Sequence, residues 1–536
     1  MLLSLGAVNS STNQEPTVRK ARGEWLIVAA VSLVYLAGLA YYAATRPIDG
    51  DEGFYTTAAR LVWEGKTPYR DFFFQQAPLL PYLYSWIWAV RPRSLVAMRL
   101  LSAAAGGLAV FLWGAGLVSV KRLPAKVALA TFLAVALNPY WVCWNVVVKT
   151  FAFANLFMTA AAICLYAALR SERPRWYFAG GLALGLCTSA RALYGPLIPA
   201  VLIWLFIREW RTARTPYSRT LAFLAGALCG LLPMIVSFLG DPHAFLFNNV
   251  QYHGLQAGLR HARGSDVYTV GYHGIGDTLA VYFYILVINL LGLHLYFTIW
   301  LVLAIMGGLS LRRLRKRQDP TYAAHDYLFV KLALLMLVVY AVTALIPFPP
   351  YLQYFDGPLL PFMLPFVVEG VGLAFRAGKY WLVALAVVAP ILCLIEVRAE
   401  TATTSSDAWW RLASYRQVTE AIEANSQPND VVLSFWPGYV FESGRRYFPG
   451  MEDQFVYRIT NMISPEARKR YHVVSTDQVM TAISTRAVPL VVVGAWMPEY
   501  YRNLTPGERQ ALRTAVDANY SLVSQTDGVT VYRRRQ

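Results

Sequence analysis

The sequence predicts a mostly α, polytopic membrane protein whose helical part is followed by a smaller, polar α/β domain. Three observations predict it. Of 536 residues, 57% are hydrophobic and only 15% are charged, less charge than a soluble chain of this length carries. Apolar segments of about 20 residues, the length that crosses a bilayer, recur from Trp25 to residue 397. From residue 398 they stop, and a polar region runs on to residue 536.

Residues 1–24 are polar and basic, and Trp25 to Ala44 is a full-length span. A cleavable signal peptide has a shorter apolar core, so this segment reads as an uncleaved anchor with residues 1–24 in the cytoplasm. Further candidate spans are 78–90, 96–118, 125–143, 151–169, 176–190, 192–207, 218–239, 279–308, 327–346, 351–372 and 379–397. If the loop 45–77 and the polar tail both face outward, the number of crossings is odd. The expectation is therefore 11–13 spans, with 11 or 13 allowed by parity. The conflict lies between residues 90 and 210. Either 176–207 crosses once as a helix broken near Arg191 and Pro196, or 125–169 holds an extra short span. The tail reads as α/β. Arg416 to Asn425 has amphipathic helical spacing, Val431-Val432-Leu433 and Pro489 to Val493 read as buried strands, and Tyr520 to Arg533 reads as a hairpin turning at Asp527-Gly528.

The net charge of +17 suggests nucleic acid only at first sight. The basic residues sit in short runs at the ends of apolar segments, among them Arg19-Lys20-Arg22, Lys121-Arg122, Arg208 to Arg219 and Arg312 to Arg317. That distribution belongs to cytoplasmic loops and anionic headgroups. The five cysteines, Cys143, Cys164, Cys187, Cys229 and Cys393, all lie in apolar segments without a CxxC pair. They read as small packing residues rather than a disulfide or zinc framework.

Two outward loops are large, 45–77 and 240–277. The second carries Asn248, Asn249, His253, Arg260, His261, Arg263, Asp266, His273 and Asp277. Its histidines have no compact ligand spacing, so no metal site and no cofactor are expected. The first opens with Asp49-Gly50-Asp51-Glu52-Gly53-Phe54-Tyr55, directly after the first span. Charge is costly at a membrane boundary, which makes this acidic cluster a candidate site; the plain alternative is a solvated helix exit. Tyr55, Ala58, Ala59, Leu61 and Val62 then recur at helical spacing, which predicts an amphipathic helix lying on the membrane and ending at Gly65.

In these stretches the chain resembles the GT-C class of membrane glycosyltransferases that use polyprenyl-phosphate sugars. The class includes the protein O-mannosyltransferases and the lipid A aminoarabinose transferases. The residues that carry the resemblance are Asp51-Glu52, Tyr55 with Ala58-Ala59, Gly65-Lys66-Thr67-Pro68, Gln76-Ala77-Pro78-Leu79, Met98-Arg99-Leu100, Gly181 to Arg191, and Tyr351-Leu352-Gln353-Tyr354-Phe355. Two departures stand out: Gln76-Ala77 where many members have Lys-Pro, and Gln353-Tyr354 where Arg-Tyr is common.

The resemblance implies an integral membrane transferase of the plasma membrane, with its site and tail domain on the extracytoplasmic side. Its partners would be a polyprenyl-phosphate sugar donor, membrane lipids and an extracytoplasmic acceptor (glycan, lipid or protein), with no nucleic acid. Sugar transfer needs a carboxylate to take the acceptor's proton and cations to hold the departing phosphate. Inversion needs only one base, unlike the two carboxylates of a retaining glycosidase. Asp51 is the expected base, with Asp49 and Glu52 as further catalytic carboxylates. Arg191, Lys149 and Arg260 are expected on the phosphate, an Arg fork matching it best. Gln75, Gln76, Tyr55, His253, Gln353 and Tyr354 complete the expected donor or substrate contacts. Headgroup pairing for Arg191 and snorkelling for Lys149 are the plainer roles. A lipid-sugar flippase or a non-catalytic scaffold are the rival functions. A transporter usually shows related halves, and none are visible here.

Overall fold

The computed structural model describes residues 15–119, 123–212, 217–263, 275–316, 323–347, 351–403 and 408–536. Residues 1–14 of the N-terminal tail, Lys121, Arg122, Arg214 and Arg317 lie outside them, as do Asp266 and His273 and the side chains of Arg260, His261, Arg263 and Asp277.

Among the described residues, six helices are long and apolar enough to cross a membrane: Gly23–Thr45, Leu95–Ser119, Phe151–Ser171, Ala192–Thr212, Leu295–Lys316 and Ala324–Ala344. Ser218–Gly230 and Leu232–Gly240 add a seventh span if counted together, bent by 58°. Other segments expected as uninterrupted spans are short or broken. The stretch 125–143 splits into Ala125–Ala136 and Pro139–Trp144, because Asn138 caps the second helix and Pro139 opens it. The stretch 279–308 passes through a π-helical Tyr284–Leu293 and breaks at His294 before Leu295. The stretch 176–207, expected as two spans or as one helix broken near Arg191, does break at Arg191, between Pro174–Ala190 and Leu197–Thr212. The last membrane helix, Tyr380–Thr403, runs past the expected boundary at residue 398.

Packing in the membrane part relies on small residues. Gly181 and Gly185 of Pro174–Ala190 meet Gly226 and Gly230 of Ser218–Gly230. Each pair has the GxxxG spacing that lets two backbones touch. A Cβ on Gly226 would stand 2.0 Å from the Phe178 carbonyl oxygen, and one on Gly181 would stand 2.1 Å from that of Phe223. Neither contact can be relieved by turning a side chain.

The tail is the expected α/β unit. Strands β1 (Val431–Ser434), β2 (Arg446–Tyr447), β3 (Leu490–Val493), β4 (Tyr520–Thr526) and β5 (Val529–Arg534) form one sheet in the order β2-β1-β3-β5-β4. The β2-β1-β3 pairings are parallel and the β3-β5-β4 pairings antiparallel. Helix Leu412–Ala424 buries Tyr415, Val418 and Ile422 in the same core as Val432, Leu433 and Val491. Only the two-residue β2 is without a sequence signal, since two residues carry no periodicity.

The helix Glu52–Trp63 does not lie on the membrane surface as expected. Every residue from Glu52 to Leu61 is buried. The helix is clamped between the membrane part and the tail. Its Gly53 packs under Trp436, and a Cβ there would come within 2.5 Å of the indole nitrogen. Arg60 donates to the carbonyls of Arg445 at 2.7 Å and Gly444 at 3.2 Å. The amphipathic pattern is real, but its polar side meets protein rather than water. The second large loop is helical over part of its described residues, through Pro242–Leu246, a π turn Phe247–Gln251 and Tyr252–Arg263. Asn248 accepts from the Phe74 amide at 3.0 Å, and Phe247 stacks on Tyr471 of the tail at 3.8 Å. Both loops and the tail thus pack on one another.

Gly226→Ala is expected to lower stability by about 1–3 kcal/mol, the usual cost of overpacking, whereas Gly254→Ala, which has open space around its Cβ, should change little. Thermal unfolding of the purified variants checks this; equal midpoints for the two would show that the close approach is not required.

Candidate active site

The acid loop is built around Glu52. This residue is 1% exposed, and both of its oxygens are occupied. It receives Arg99 Nε at 2.7 Å and Nη2 at 2.5 Å, the Val148 amide at 3.1 Å and the Asp49 amide at 2.9 Å. Arg99 also donates to the carbonyls of Ala43, Arg46 and Pro47, which end the first helix. Glu52, expected among the catalytic carboxylates, is therefore closed off from any substrate and holds the loop. Arg99 entered the sequence argument only as part of Met98-Arg99-Leu100, and its role as partner to Glu52 was not foreseen.

The neighbouring aspartates differ. Lys149 Nζ lies 2.8 Å from Asp49 Oδ1 and 2.8 Å from Asp51 Oδ2. Asp49 Oδ1 also accepts the Asp51 amide at 2.9 Å. The Asp51 side chain keeps 34% of its surface open, against 17% for Asp49 and 8% for Lys149. Dense protein surrounds Asp51, yet a third of its side chain is exposed. Burial raises both carboxyls; at Asp49 the charges of Lys149 and Arg46 and two hydrogen bonds outweigh it, and the group sits below its ordinary value. At Asp51 burial wins over Lys149, the charge of Asp49 adds to it, and the group sits above. Burial opposes the charge of Lys149, but the two aspartates hold its ammonium well above the ordinary lysine value. Lys149, expected on a phosphate, is paired here with both aspartates.

The next residue connects this cluster to Arg191. Thr150 Oγ1 accepts from Arg191 Nη1 at 2.9 Å. The guanidinium lies over Phe151 at 4.2 Å and Tyr354 at 4.8 Å, and its buried Nε has no hydrogen-bond partner. Tyr55 is buried within electrostatic reach of both Asp51 and Arg191. The structure thus brings together Asp49, Asp51, Lys149, Tyr55, Arg191 and Tyr354. Gln353 is half-buried in the same 3-10 turn as Tyr354. Gln75 and Gln76 act through their backbone: the Gln75 carbonyl meets His253 Nε2 at 3.0 Å, and the Gln76 carbonyl accepts from Tyr69.

The tail supplies neighbours that sequence reasoning missed. The Gly50 carbonyl accepts from Trp436 Nε1 at 2.8 Å and Gln454 Nε2 at 3.0 Å, and the Ile48 amide donates to Trp410 at 2.7 Å. Arg458, paired with Glu499 at 3.0 Å, and buried Asp453 are both close enough to feel the charge of Asp51. About 400 residues of chain separate them from the acid loop, and nothing in their local sequence marks them.

Glu52→Gln should destabilise the fold strongly, by about 3–5 kcal/mol, because it leaves Arg99 buried and charged without its carboxylate. Thermal unfolding and expression yield read this out. Wild-type stability for Glu52→Gln would contradict the structural role.

The model of the family described as dolichyl-phosphate-mannose-protein mannosyltransferase matches residues 75–237, which include Lys149 and Arg191 but not the acid loop. No protein of curated function matches the chain in sequence. Among solved structures, ArnT from Cupriavidus metallidurans bound to undecaprenyl phosphate is similar over 95% of this chain and 97% of its own, with 14% identity and a TM-score of 0.59. The apo form of the same protein matches over 96% and 98%, with 15% identity and a TM-score of 0.58. The oligosaccharyltransferase from Archaeoglobus fulgidus matches over 98% of this chain and 75% of its own, with 13% identity and a TM-score of 0.51. End to end, tail domain included, the chain has the GT-C fold of the membrane glycosyltransferases.

Proposed function

We propose that this chain transfers a sugar from a polyprenyl-phosphate donor to an acceptor on the extracytoplasmic side of the plasma membrane, with Asp51 as general base. The observation that carries the reading is the arrangement around Asp51. The carboxylate is a third exposed, is paired with Lys149, and stands in one cluster with an arginine whose buried Nε has no hydrogen-bond partner. The fold shared with ArnT, seen with undecaprenyl phosphate bound, supports the lipid carrier.

In the proposed step, Asp51 takes the proton of the acceptor hydroxyl or amine as that atom bonds to C1 of the sugar. The bond from C1 to the phosphate oxygen breaks, and its electron pair leaves with the polyprenyl phosphate. Configuration inverts, and the proton passes from Asp51 to water. A base whose proton affinity lies above that of an ordinary aspartate suits this task better than Asp49 does. Arg191 stabilises the charge that grows on the phosphate, an interaction strengthened by its buried, aromatic surroundings. Lys149 keeps the two aspartates ionised and apart.

Three outcomes are expected when the purified protein is given radiolabelled polyprenyl-phosphate sugars and cell-envelope fractions. Asp51→Asn should cut turnover by roughly 100-fold or more, with little loss of donor binding. Normal transfer by this variant would end the assignment.

Asp49→Asn should leave transfer measurable and move the acid limb of its pH profile to lower pH. Removing that negative charge, and leaving Lys149 to Asp51 alone, favours the ionised form of Asp51. An unmoved or raised limb would argue against Asp51 as the titrating base.

Arg191→Ala should weaken binding of undecaprenyl phosphate by about tenfold or more, and Arg191→Lys by less, since lysine keeps the charge but loses the fork. Equal affinity for wild type and Arg191→Ala would remove this residue from the donor site.

A further inference from the structure

The part of the tail that packs on the acid loop contains buried polar atoms that no hydrogen bond in the fold satisfies. Gln454 is fully buried, and its Nε2 is spent on the Gly50 carbonyl, one residue from Asp51. Its Oε1, on the same amide, is buried without a partner. Asp453, next to it and 1% exposed, uses Oδ1 to accept the Phe455 amide at 2.8 Å, while Oδ2 has no partner. Buried polar groups are almost always satisfied, so two adjacent orphans call for a ligand or an ordered solvent network.

A third feature belongs to the same place. Trp496 holds φ at +68°, a left-handed backbone that a bulky side chain adopts only at a cost. The strained residue places its half-buried indole edge-on to Phe455 at 4.8 Å, and its Nε1 is 3.4 Å from where a Cβ on Gly50 would stand. Gly50 threads between this ring and Trp410. Glycine at position 496 would relieve the strain, so the ring itself is what the site retains.

We propose that Asp453, Gln454 and Trp496 of the tail form the acceptor subsite beside Asp51, and that the acceptor they take is a carbohydrate. The inference rests on the transferase reading above and adds the acceptor's class to it. Burial first, and then the charge of Asp51, hold the Asp453 carboxyl well above the ordinary carboxylate range, against the Phe455 amide and Arg458. That shift favours the protonated form, in which the free oxygen donates, while Gln454 Oε1 can only accept. A donor and an acceptor side by side match a hydroxyl group, which accepts and donates in turn; a peptide N–H or an ammonium only donates. A sugar ring presents such hydroxyls on adjacent carbons and an apolar C–H face that lies on an indole.

The test uses the full chain in lipid nanodiscs, with a labelled polyprenyl-phosphate sugar as donor. Fluorescent oligosaccharides of defined sequence and fluorescent Ser/Thr peptides serve as acceptor probes. Label is expected on oligosaccharide. Trp496→Gly, which keeps the backbone unstrained, should raise the oligosaccharide KM about tenfold, the scale of one lost ring contact. Asp453→Leu should do the same, whereas Asp453→Asn keeps an N–H donor and should raise KM only about threefold. The Kd for undecaprenyl phosphate should stay within about twofold in all three, because the donor phosphate is not held by these residues. Label on peptide alone, or on no probe although the wild type binds undecaprenyl phosphate, would overturn the carbohydrate assignment. So would an unchanged oligosaccharide KM in Trp496→Gly. Failure of the wild type to bind undecaprenyl phosphate would instead defeat the transferase reading, and the acceptor proposal with it.

Discussion

The buried ion pair between Glu52 and Arg99 is the interaction on which the rest of the structure depends. Arg99 is fully buried in the helix Leu95–Ser119, and its five donors reach the end of the first helix as well as Glu52. Glu52 in turn fixes the Asp49 amide and the Val148 amide, one residue before Lys149. One pair thus joins three separate stretches of chain at the point where the acid loop begins. A buried pair of this kind adds little net stability over an apolar pair, but losing one partner is costly. Its use here is registration: it sets where Asp49, Asp51 and Lys149 stand relative to one another.

The three carboxylates of the cluster show how environment divides labour among like groups. Glu52 is sealed and paired with an arginine, so it serves as framework. Asp49 has two cations and two hydrogen-bond donors on it, which keep it ionised. Asp51 shares one lysine, faces the negative charge of Asp49 and keeps a third of its surface open. Of the two aspartates, the one whose proton affinity is raised is also the more exposed.

The tail domain packs directly on the acid loop rather than hanging from the membrane part as an appendage. It holds the Gly50 carbonyl with two donors and covers Gly53 so closely that a methyl group would not fit. The helix Glu52–Trp63 is consequently buried from Glu52 to Leu61. Its amphipathicity, read from sequence as membrane adhesion, is the same pattern that two protein surfaces require of a helix between them. A single chain cannot distinguish those solvents, since both offer one polar and one apolar side.

By itself the sequence determined the membrane part, the tail and most of the tail's strands, because hydropathy over about 20 residues and alternation over four or five are local signals. It also located the acidic loop and the arginine that ends Pro174–Ala190. Spacing did not separate Asp49, Asp51 and Glu52, which lie within four residues of one another and are chemically alike; the choice of Asp51 came from the resemblance. Only the tertiary structure distinguished their surroundings, because pairing and burial are set by Arg99, Lys149 and the tail. Lys149 was visible as a cation at a span edge, but its partners lie 98 and 100 positions earlier in the chain. Asp453, Gln454 and Arg458 were invisible altogether. They reach the site through contacts such as Gln454 to Gly50, across 404 positions, and no local pattern encodes a contact whose two halves meet only after the tail has folded onto the membrane part.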